Sequence, residues 1–215
     1  MSVRKMDTPP FIKHSSKMPP HTLMLAAIQE QKEKEKECDI WENSPYKDVA
    51  TLESNNVGNV GEKLVETLCK EAGIPAKCDG SKTKQVGGGA GDGEILGKTV
   101  EVKTARQGAG STTFQHELGE VPWKANAMVF IDISPDCYYL TVFKNFDEET
   151  YKSGKKLPYA YTSKSVTWRK KIGAFKLDTS IQLNTKNIEN GYTIRIDSST
   201  SIEDIDAFIR KQLDF

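Results

Sequence analysis

One segment constrains the fold more than any other part of the chain. Residues 127–133 read Ala-Met-Val-Phe-Ile-Asp-Ile, a nearly continuous apolar run that ends at a Ser-Pro-Asp turn signal. Such a run is typical of a central β-strand that is covered on both faces. Residues 138–143 follow the turn and predict a neighbouring strand. The chain therefore needs a sheet with material packed on each side.

Helical patterns occur on both sides of these strands. Four apolar residues at a spacing of four predict a helix from about residue 57 to 72, namely Val60, Leu64, Leu68 and Ala72. Asn56 or Asn59 is expected to cap its start, and Gly73 to end it. From Ser201 onward the sequence predicts an amphipathic helix, in which Ser201 and Asp204 resemble a capping box. The order helix, hairpin, strands, helix indicates a mixed-sheet α/β fold.

The first 45 residues differ in character from the rest. Two proline pairs lie within residues 1–20, and a plausible helix from Thr22 runs into a dense charge run, so residues 1–45 are interpreted as an arm with a charged helix and residues 46–215 as the main domain. No secretory h-region and no apolar run of membrane-spanning length occurs, which favours a cytoplasmic protein without a membrane partner. The four cysteines lack C-x-x-C spacing, so reduced thiols are expected.

The stretch from Asp92 to Lys103 carries the chemistry that the sequence suggests. It is predicted to form a tight hairpin that turns at Gly97-Lys98, and the two-residue period of a strand puts Glu101 and Lys103 on one face. In the expected register, Asp92 lies opposite Lys103 and Glu94 lies opposite Glu101. Three crowded carboxylates repel one another, and a Mg²⁺ ion would neutralise them. The ordinary alternative is the solvated face of a charged hairpin.

Together with their neighbours, these residues resemble the PD-(D/E)xK superfamily of restriction-endonuclease-like nucleases. The resemblance consists of a helix carrying Glu62, then Asp92-x₈-Glu101-x-Lys103, then the strand Thr113-Phe114-Gln115-His116-Glu117. It implies a restriction-endonuclease-like mixed β-sheet core flanked by helices. It also implies that Asp92 and Glu101 hold one or two Mg²⁺ ions, that Lys103 serves the attacking water, and that Glu62 and Gln115 support the site. His116, which would face the other side of its strand, is expected to be packed.

One position departs from the motif that gives the superfamily its name. Gly91 precedes Asp92 where the motif has proline, which leaves open whether Glu94 replaces Asp92 as the metal ligand.

A second region suggests contact with nucleic acid, although the net charge of the whole chain is zero. Residues 151–171, called here the basic segment, carry seven basic residues, no acidic residue and interleaved aromatic side chains. Such a segment can replace the counterions on a phosphate backbone. The alternative is a solvated lysine-rich loop. The residues predicted to bind DNA are Lys152, Lys155, Lys156, Lys164, Arg169 and Lys170.

These observations lead to one expected function and several alternatives. The expectation is a metal-dependent endonuclease that cuts double-stranded DNA, most specifically a sequence-specific type II restriction enzyme. A repair or recombination nuclease that nicks DNA or resolves junctions is the first alternative, and a non-catalytic DNA-binding subunit is the second. A homodimer reading a palindromic target is expected, because one chain offers one site. The apolar segment Leu23–Ile28 could bury against its copy.

Overall fold

The computed structural model describes residues 20–37, 39–79, 91–119, 123–146, 160–161 and 165–215. The chain divides into two compact units, residues 1–39 and residues 40–215. In the first unit, α1 (Pro20–Glu37) contains the helix predicted from Thr22, and Lys34 pairs with Glu30 at 2.7 Å on its charged half. Among the described helices, none combines the length and apolar character that a bilayer-spanning segment requires.

The second unit is an α/β assembly of two sheets. The larger sheet is mixed and has the strand order β1-β2-β3-β5-β6-β9, in which only β3 and β5 pair in parallel among the described strands. Its strands are β1 (Ala76–Lys77), β2 (Gly93–Ile95), β3 (Lys98–Arg106), β5 (Ala127–Ile133), β6 (Tyr138–Lys144) and β9 (Thr193–Ile196). The smaller sheet is antiparallel and consists of β4 (Thr113–Gly119), β8 (Ala174–Ser180) and β7 (Val166–Arg169), in that order.

Three helices and a short 3-10 turn complete this unit. They are the 3-10 turn Lys47–Thr51, α2 (Ser54–Glu71), α3 (Ile181–Glu189) and α4 (Ile202–Leu213). The α2 helix begins at Ser54 and its N-cap, Glu53, makes no side-chain cap hydrogen bond, so the predicted Asn caps are wrong. Its end follows the prediction: Gly73 has φ +66°, and Ile74 N–H donates to Cys69 O at 2.7 Å. The capping box of Ser201 and Asp204 at the start of α4 is confirmed.

The central strand β5 separates two cores. All seven of its residues are buried, which confirms the expectation of a strand covered on both sides. Val129 and Ile131 pack among residues of α2 and α4 on one face. Met128 and Phe130 pack on the other face against Leu118 and Leu177 of the smaller sheet. The large sheet therefore has helices on one face and a second sheet, with α3, on the other.

The hairpin register differs from the prediction. The turn is Leu96-Gly97, with positive φ at both residues (51° and 75°), as a type I′ turn requires. Ile95 therefore pairs with Lys98 and Glu94 with Thr99. The expected pairings of Asp92 with Lys103 and of Glu94 with Glu101 are wrong.

Close packing at Gly93 explains this register. Gly93 pairs with Val100 and lies against the end of β1, where an added Cβ atom would approach Lys77 O to 2.3 Å and Cys78 Sγ to 2.8 Å. Only glycine fits where three strands approach so closely. This register leaves Ile95 buried in the core at 2% exposure.

Three cysteines are buried free thiols, as the sequence suggested, whereas Cys38 lies outside the described residues. Burial raises the pKa of Cys69 and of Cys78 to about 12. Both thiols are therefore protonated at neutral pH and unreactive.

Candidate active site

Asp92 is held at the edge of β3 by two hydrogen bonds. Its backbone N–H donates to Val100 O at 2.8 Å, and its side-chain Oδ2 accepts from Val102 N–H at 2.8 Å. The β2–β3 ladder ends at Val100, so the carboxylate supplies the acceptor that the next residue of β2 would otherwise provide. Asp92 is only 6% exposed, and both bonds fix its position.

The residue before Asp92 has a backbone conformation that proline cannot adopt. Gly91 has φ +110°, and a Cβ atom there would lie 2.3 Å from Val100 O. Proline locks φ near −65°. The glycine at this position therefore follows from the tight path that brings Asp92 onto β3.

Glu101 and Lys103 lie two residues apart on the same face of β3. Their side chains are 21% and 24% exposed, and Lys103 Nζ donates to Glu101 Oε1 at 2.5 Å. Burial is the main cause that raises the pKa of Glu101; the Lys103 ammonium opposes this shift and the charge of Asp92 adds to it. Asp92, Glu101 and Lys103 therefore form one electrostatically coupled group, called here the carboxylate site.

Glu94 stands apart from this group. It pairs with Thr99, which lies two residues before Glu101 on β3, and it is half-buried. Of the two candidate carboxylates on the β2 side, Asp92 is the one whose charge raises the pKa of Glu101. The geometry supports Asp92, rather than Glu94, as the partner of Glu101.

The carboxylate site has the donor set that a hard cation prefers. Asp92 Oδ1 and Glu101 Oε2 accept no hydrogen bond from the described residues, which leaves one oxygen of each carboxylate available. Mg²⁺ is commonly held by one or two carboxylates, with water and substrate phosphate completing its shell. Within the described ranges, no group of three or more His, Cys, Asp or Glu side chains is placed to hold a metal. A cation here would be bound by the two carboxylates.

The two predicted supporting residues lie on elements that flank β3. Glu62 is half-buried on α2, next to Gly61, where an added Cβ atom would lie 1.7 Å from Thr104 Oγ1. The helix therefore crosses β3 one residue from Lys103, but on the face opposite to Glu101. Gln115 lies on the outer face of β4, in a groove that it shares with Thr104. The structure thus couples Asp92, Glu101 and Lys103 electrostatically, whereas Glu62 lies on the helix that packs on the opposite face of β3 and Gln115 lines a groove beside the end of β3.

His116 is packed, as expected, and its partner is a residue that the sequence did not single out. His116 is 2% exposed, and its Nε2 lies 2.6 Å from Asp132 Oδ1. Asp132 Oδ2 also accepts from Thr179 Oγ1 and Asn184 Nδ2, each at 2.7 Å. The sequence does contain a signal for this partner: an aspartate lies inside an otherwise apolar strand, and a buried carboxylate requires hydrogen-bond donors around it.

The residues predicted to bind DNA are described only in part. Lys152, Lys155, Lys156 and Lys164 lie outside the described residues. Arg169 is at the end of β7, where it pairs with Asp178 at 3.3 Å. Lys170 is exposed in the turn between β7 and β8. This turn carries exposed basic side chains beside Trp168, which is 49% exposed.

No family model matches the chain, and no curated protein matches it either. The inference of function therefore depends on the carboxylate site and on the elements that hold it.

Proposed function

We propose that this protein is a metal-dependent endodeoxyribonuclease that hydrolyses phosphodiester bonds in double-stranded DNA. The observation that carries the proposal is the coupling of Asp92, Glu101 and Lys103, in which two carboxylates and an ammonium group occupy the edge and one face of a single strand. The half-buried charge of Glu101 costs folding free energy, because burial disfavours the ionised form. A functional requirement for that charge explains why the chain accommodates it.

Asp92 and Glu101 are the residues that would hold one or two Mg²⁺ ions. When bound, Mg²⁺ polarises a phosphate and makes a coordinated water a better nucleophile at neutral pH. The backbone N–H of Val102 fixes the Asp92 carboxylate before any ligand arrives. Such preorganisation lowers the reorganisation that accompanies the reaction.

Lys103 is proposed to act on the phosphate or on the attacking water. Its ammonium group lies within 2.5 Å of Glu101 Oε1, close to the oxygens that would hold the metal. A cation placed there stabilises the negative charge that develops on a phosphate in the transition state. Glu62 and Gln115 are proposed to support the site from the flanking α2 and β4.

The finer fold assignment is part of this proposal. A restriction-endonuclease-like core is supported by the succession of α2, the β2–β3 hairpin with the carboxylate site, and β4 with Gln115. The mixed sheet with helices on one face and α3 on the other is compatible with it.

A sequence-specific type II restriction enzyme that works as a homodimer on a palindromic target is the most specific form of the proposal. Arg169 and Lys170, together with Lys152, Lys155, Lys156 and Lys164, are proposed to grip the DNA backbone. One chain carries one carboxylate site, so a nicking or junction-resolving repair enzyme is the alternative if the protein acts as a monomer. Light scattering with and without DNA separates the two.

Crowded carboxylates argue against a non-catalytic binding subunit, because binding alone does not require them.

The direct test is to incubate supercoiled plasmid with the full chain in Mg²⁺ or in EDTA, and to sequence the ends of the products. We expect Mg²⁺-dependent cleavage that Glu101→Gln abolishes. Glu189→Gln, at an exposed position on α3, is the matched control and should cut like the wild type. Cleavage by Glu101→Gln at the wild-type rate, or the absence of any cleavage by the wild type, would contradict the proposal. Discrete paired ends indicate a restriction enzyme, and nicks in one strand indicate the repair alternative.

A further inference from the structure

A groove runs beside the second half of β3. Its volume is about 520 Å³, and its walls are the first turn of α2, the end of β3 and the outer face of β4. We call it the β4 groove. Its lining includes Thr104, Ala105, Arg106, Gln115, Glu117 and Lys176.

Three polar side chains on one wall of the β4 groove have no partner among the described residues. Gln115, Glu117 and Lys176 form neither a side-chain hydrogen bond nor an ion pair with the described part of the chain. Glu117 and Lys176 are nevertheless direct cross-strand partners of opposite charge. Other groove residues are already engaged: Arg106 donates to Val49 O and Leu52 O, and Ser111 pairs with Thr113. The wall therefore presents an amide, a carboxylate and an ammonium group that are available to a ligand.

The charges of this wall indicate what kind of ligand fits. A phosphate site would carry only positive charge and backbone donors, and Glu117 would repel a phosphate. Base edges instead present donors and acceptors side by side. Lysine suits the acceptors of guanine, glutamine suits adenine, and a carboxylate accepts from the amino group of cytosine. The mixed wall therefore matches base edges better than it matches the DNA backbone.

The position of the wall fits the same ligand. Gln115, Glu117 and Lys176 lie on the paired strands β4 and β8 of the three-stranded sheet, and β-sheet proteins read DNA with strands placed in a groove. Ala105, which lines the groove, is four residues from Glu101 on β3, about 13 Å at the rise of a strand. At 3.4 Å per base pair, this spans roughly four base pairs from the carboxylate site.

We propose that the β4 groove reads base edges of duplex DNA through Gln115, Glu117 and Lys176, within about four base pairs of the scissile phosphate. This inference rests on the proposed nuclease function, and it names the determinants of sequence preference that the function itself leaves open.

The test uses a library of duplexes with randomised sequence and two readouts. In the first, the full chain cuts the library in Mg²⁺ and the ends are sequenced. In the second, each protein also carries Glu101→Gln, so that the duplexes it binds are selected without cleavage and sequenced. Each readout compares Glu117→Gln and Lys176→Met with Glu189→Gln and Lys186→Met, which make the same changes at exposed positions of α3. Circular dichroism melting verifies that all four variants fold.

We expect Glu117→Gln and Lys176→Met to relax the base preference at one or two positions near the cut by roughly 5- to 150-fold, the usual value of a base contact. The α3 variants should keep the wild-type preference. Unchanged preference in the groove variants, or random ends from the wild type, would overturn the inference and leave the nuclease proposal standing. A uniform loss of binding to every sequence, with a smaller salt dependence, would also overturn it, because that marks a phosphate contact.

Failure of the nuclease proposal gives a different pattern. If no cleavage occurs but the selected duplexes show a preference that Glu117→Gln or Lys176→Met relaxes, base reading is supported and catalysis is not. If there is neither cleavage nor a selected preference, both proposals are overturned.

Discussion

Two carboxylates project from the same face of the large sheet, on neighbouring strands, but they differ in exposure and in hydrogen bonding. Asp132 on β5 is 1% exposed and accepts hydrogen bonds from His116, Thr179 and Asn184. Glu101 on β3 has a side chain that is 21% exposed and accepts one hydrogen bond, from Lys103. The first carboxylate is saturated by protein donors and the second retains an available oxygen.

This difference supports a structural role for Asp132 and is the basis of the chemical role proposed for Glu101. The donors to Asp132 come from β4, β8 and α3, so the carboxylate joins the smaller sheet and a helix to the large sheet. The ring of His116 also lies 5.1 Å from that of Phe130. This junction fixes β4, and with it one wall of the β4 groove. Among the described residues the carboxylate site makes no comparable junction, which is compatible with the ligand-binding role proposed for it.

The largest expected effect tests the chemical half of this comparison. Asp92→Ala, Glu101→Ala and Lys103→Ala should each lower plasmid cleavage in Mg²⁺ by roughly 10³-fold or more, since each removes a group that is proposed to act on the transition state. The free energy of unfolding should change by no more than about 1 kcal/mol in Glu101→Ala and Lys103→Ala, whose side chains are partly exposed, whereas Asp92→Ala removes the buried acceptor of Val102 N–H and should cost about 1–3 kcal/mol. Initial cleavage rates and urea denaturation measure the two quantities. A loss of cleavage that is explained by unfolding of the variants in the assay buffer would show that the site is structural.

The next effect tests the structural half. Asp132→Asn replaces an acceptor with a donor opposite buried donors, and should lower the free energy of unfolding by about 3 kcal/mol. Asp136→Asn is the matched control, because the Asp136 side chain is 75% exposed and its ion pair with Arg195 is at the surface; it should change stability by less than about 1 kcal/mol. Urea denaturation of both variants provides the comparison. A loss for Asp132→Asn as small as that of the control would mean that the junction does not hold the sheets together.

A smaller effect is expected from metal binding. At a Mg²⁺ concentration ten times the dissociation constant, a folded-state ligand adds about 1.4 kcal/mol of stability, which corresponds to a Tm increase of about 3–5 °C in a chain of this size. The wild type should show this increase, and Glu101→Gln should not. Scanning calorimetry with EDTA as the reference measures it. An equal increase in the variant would place the metal elsewhere.

The parts of the fold that the sequence predicted are those set by local patterns. The β5 strand was evident from its apolar run, the α2 helix from its four-residue spacing and the α4 start from Ser201 and Asp204. The hairpin register was wrong because it depends on the approach of β1 to Gly93, which no local pattern reveals. Residues 166–196, which form β7, β8, α3 and β9, were not predicted as elements at all.

The candidate site divides along the same line. Glu101 and Lys103 share a face because of strand periodicity alone, which a sequence shows directly. The hydrogen bond from Val102 to Asp92 depends on where β2 ends, and the donors to Asp132 lie 16, 47 and 52 residues away in the chain. The β4 groove likewise joins α2, β3 and β4 through tertiary packing. Contacts at such separations follow from the fold and cannot be read from a motif.

The smallest effect concerns the contribution of Glu101 to the pH dependence of stability in the protein without any ligand. The pKa of Glu101 is raised in the folded protein, chiefly by burial, and the charge of Asp92 adds to the shift. A raised folded-state pKa means that the contribution of Glu101 to stability is fully present below its unfolded pKa and is lost as the pH rises through the folded value.

In metal-free buffer, Glu101→Gln should therefore become more stable relative to the wild type as the pH rises from about 4 to 7. Urea denaturation across this range measures the difference, with Glu189→Gln at an exposed position of α3 as the control. Asp92→Asn keeps an acceptor for Val102 N–H and removes the neighbouring charge, so it should reduce the pH dependence without abolishing it. A stability difference that grows in the opposite direction would mean that Lys103 outweighs burial, and that the charge of Glu101 needs no ligand to offset it.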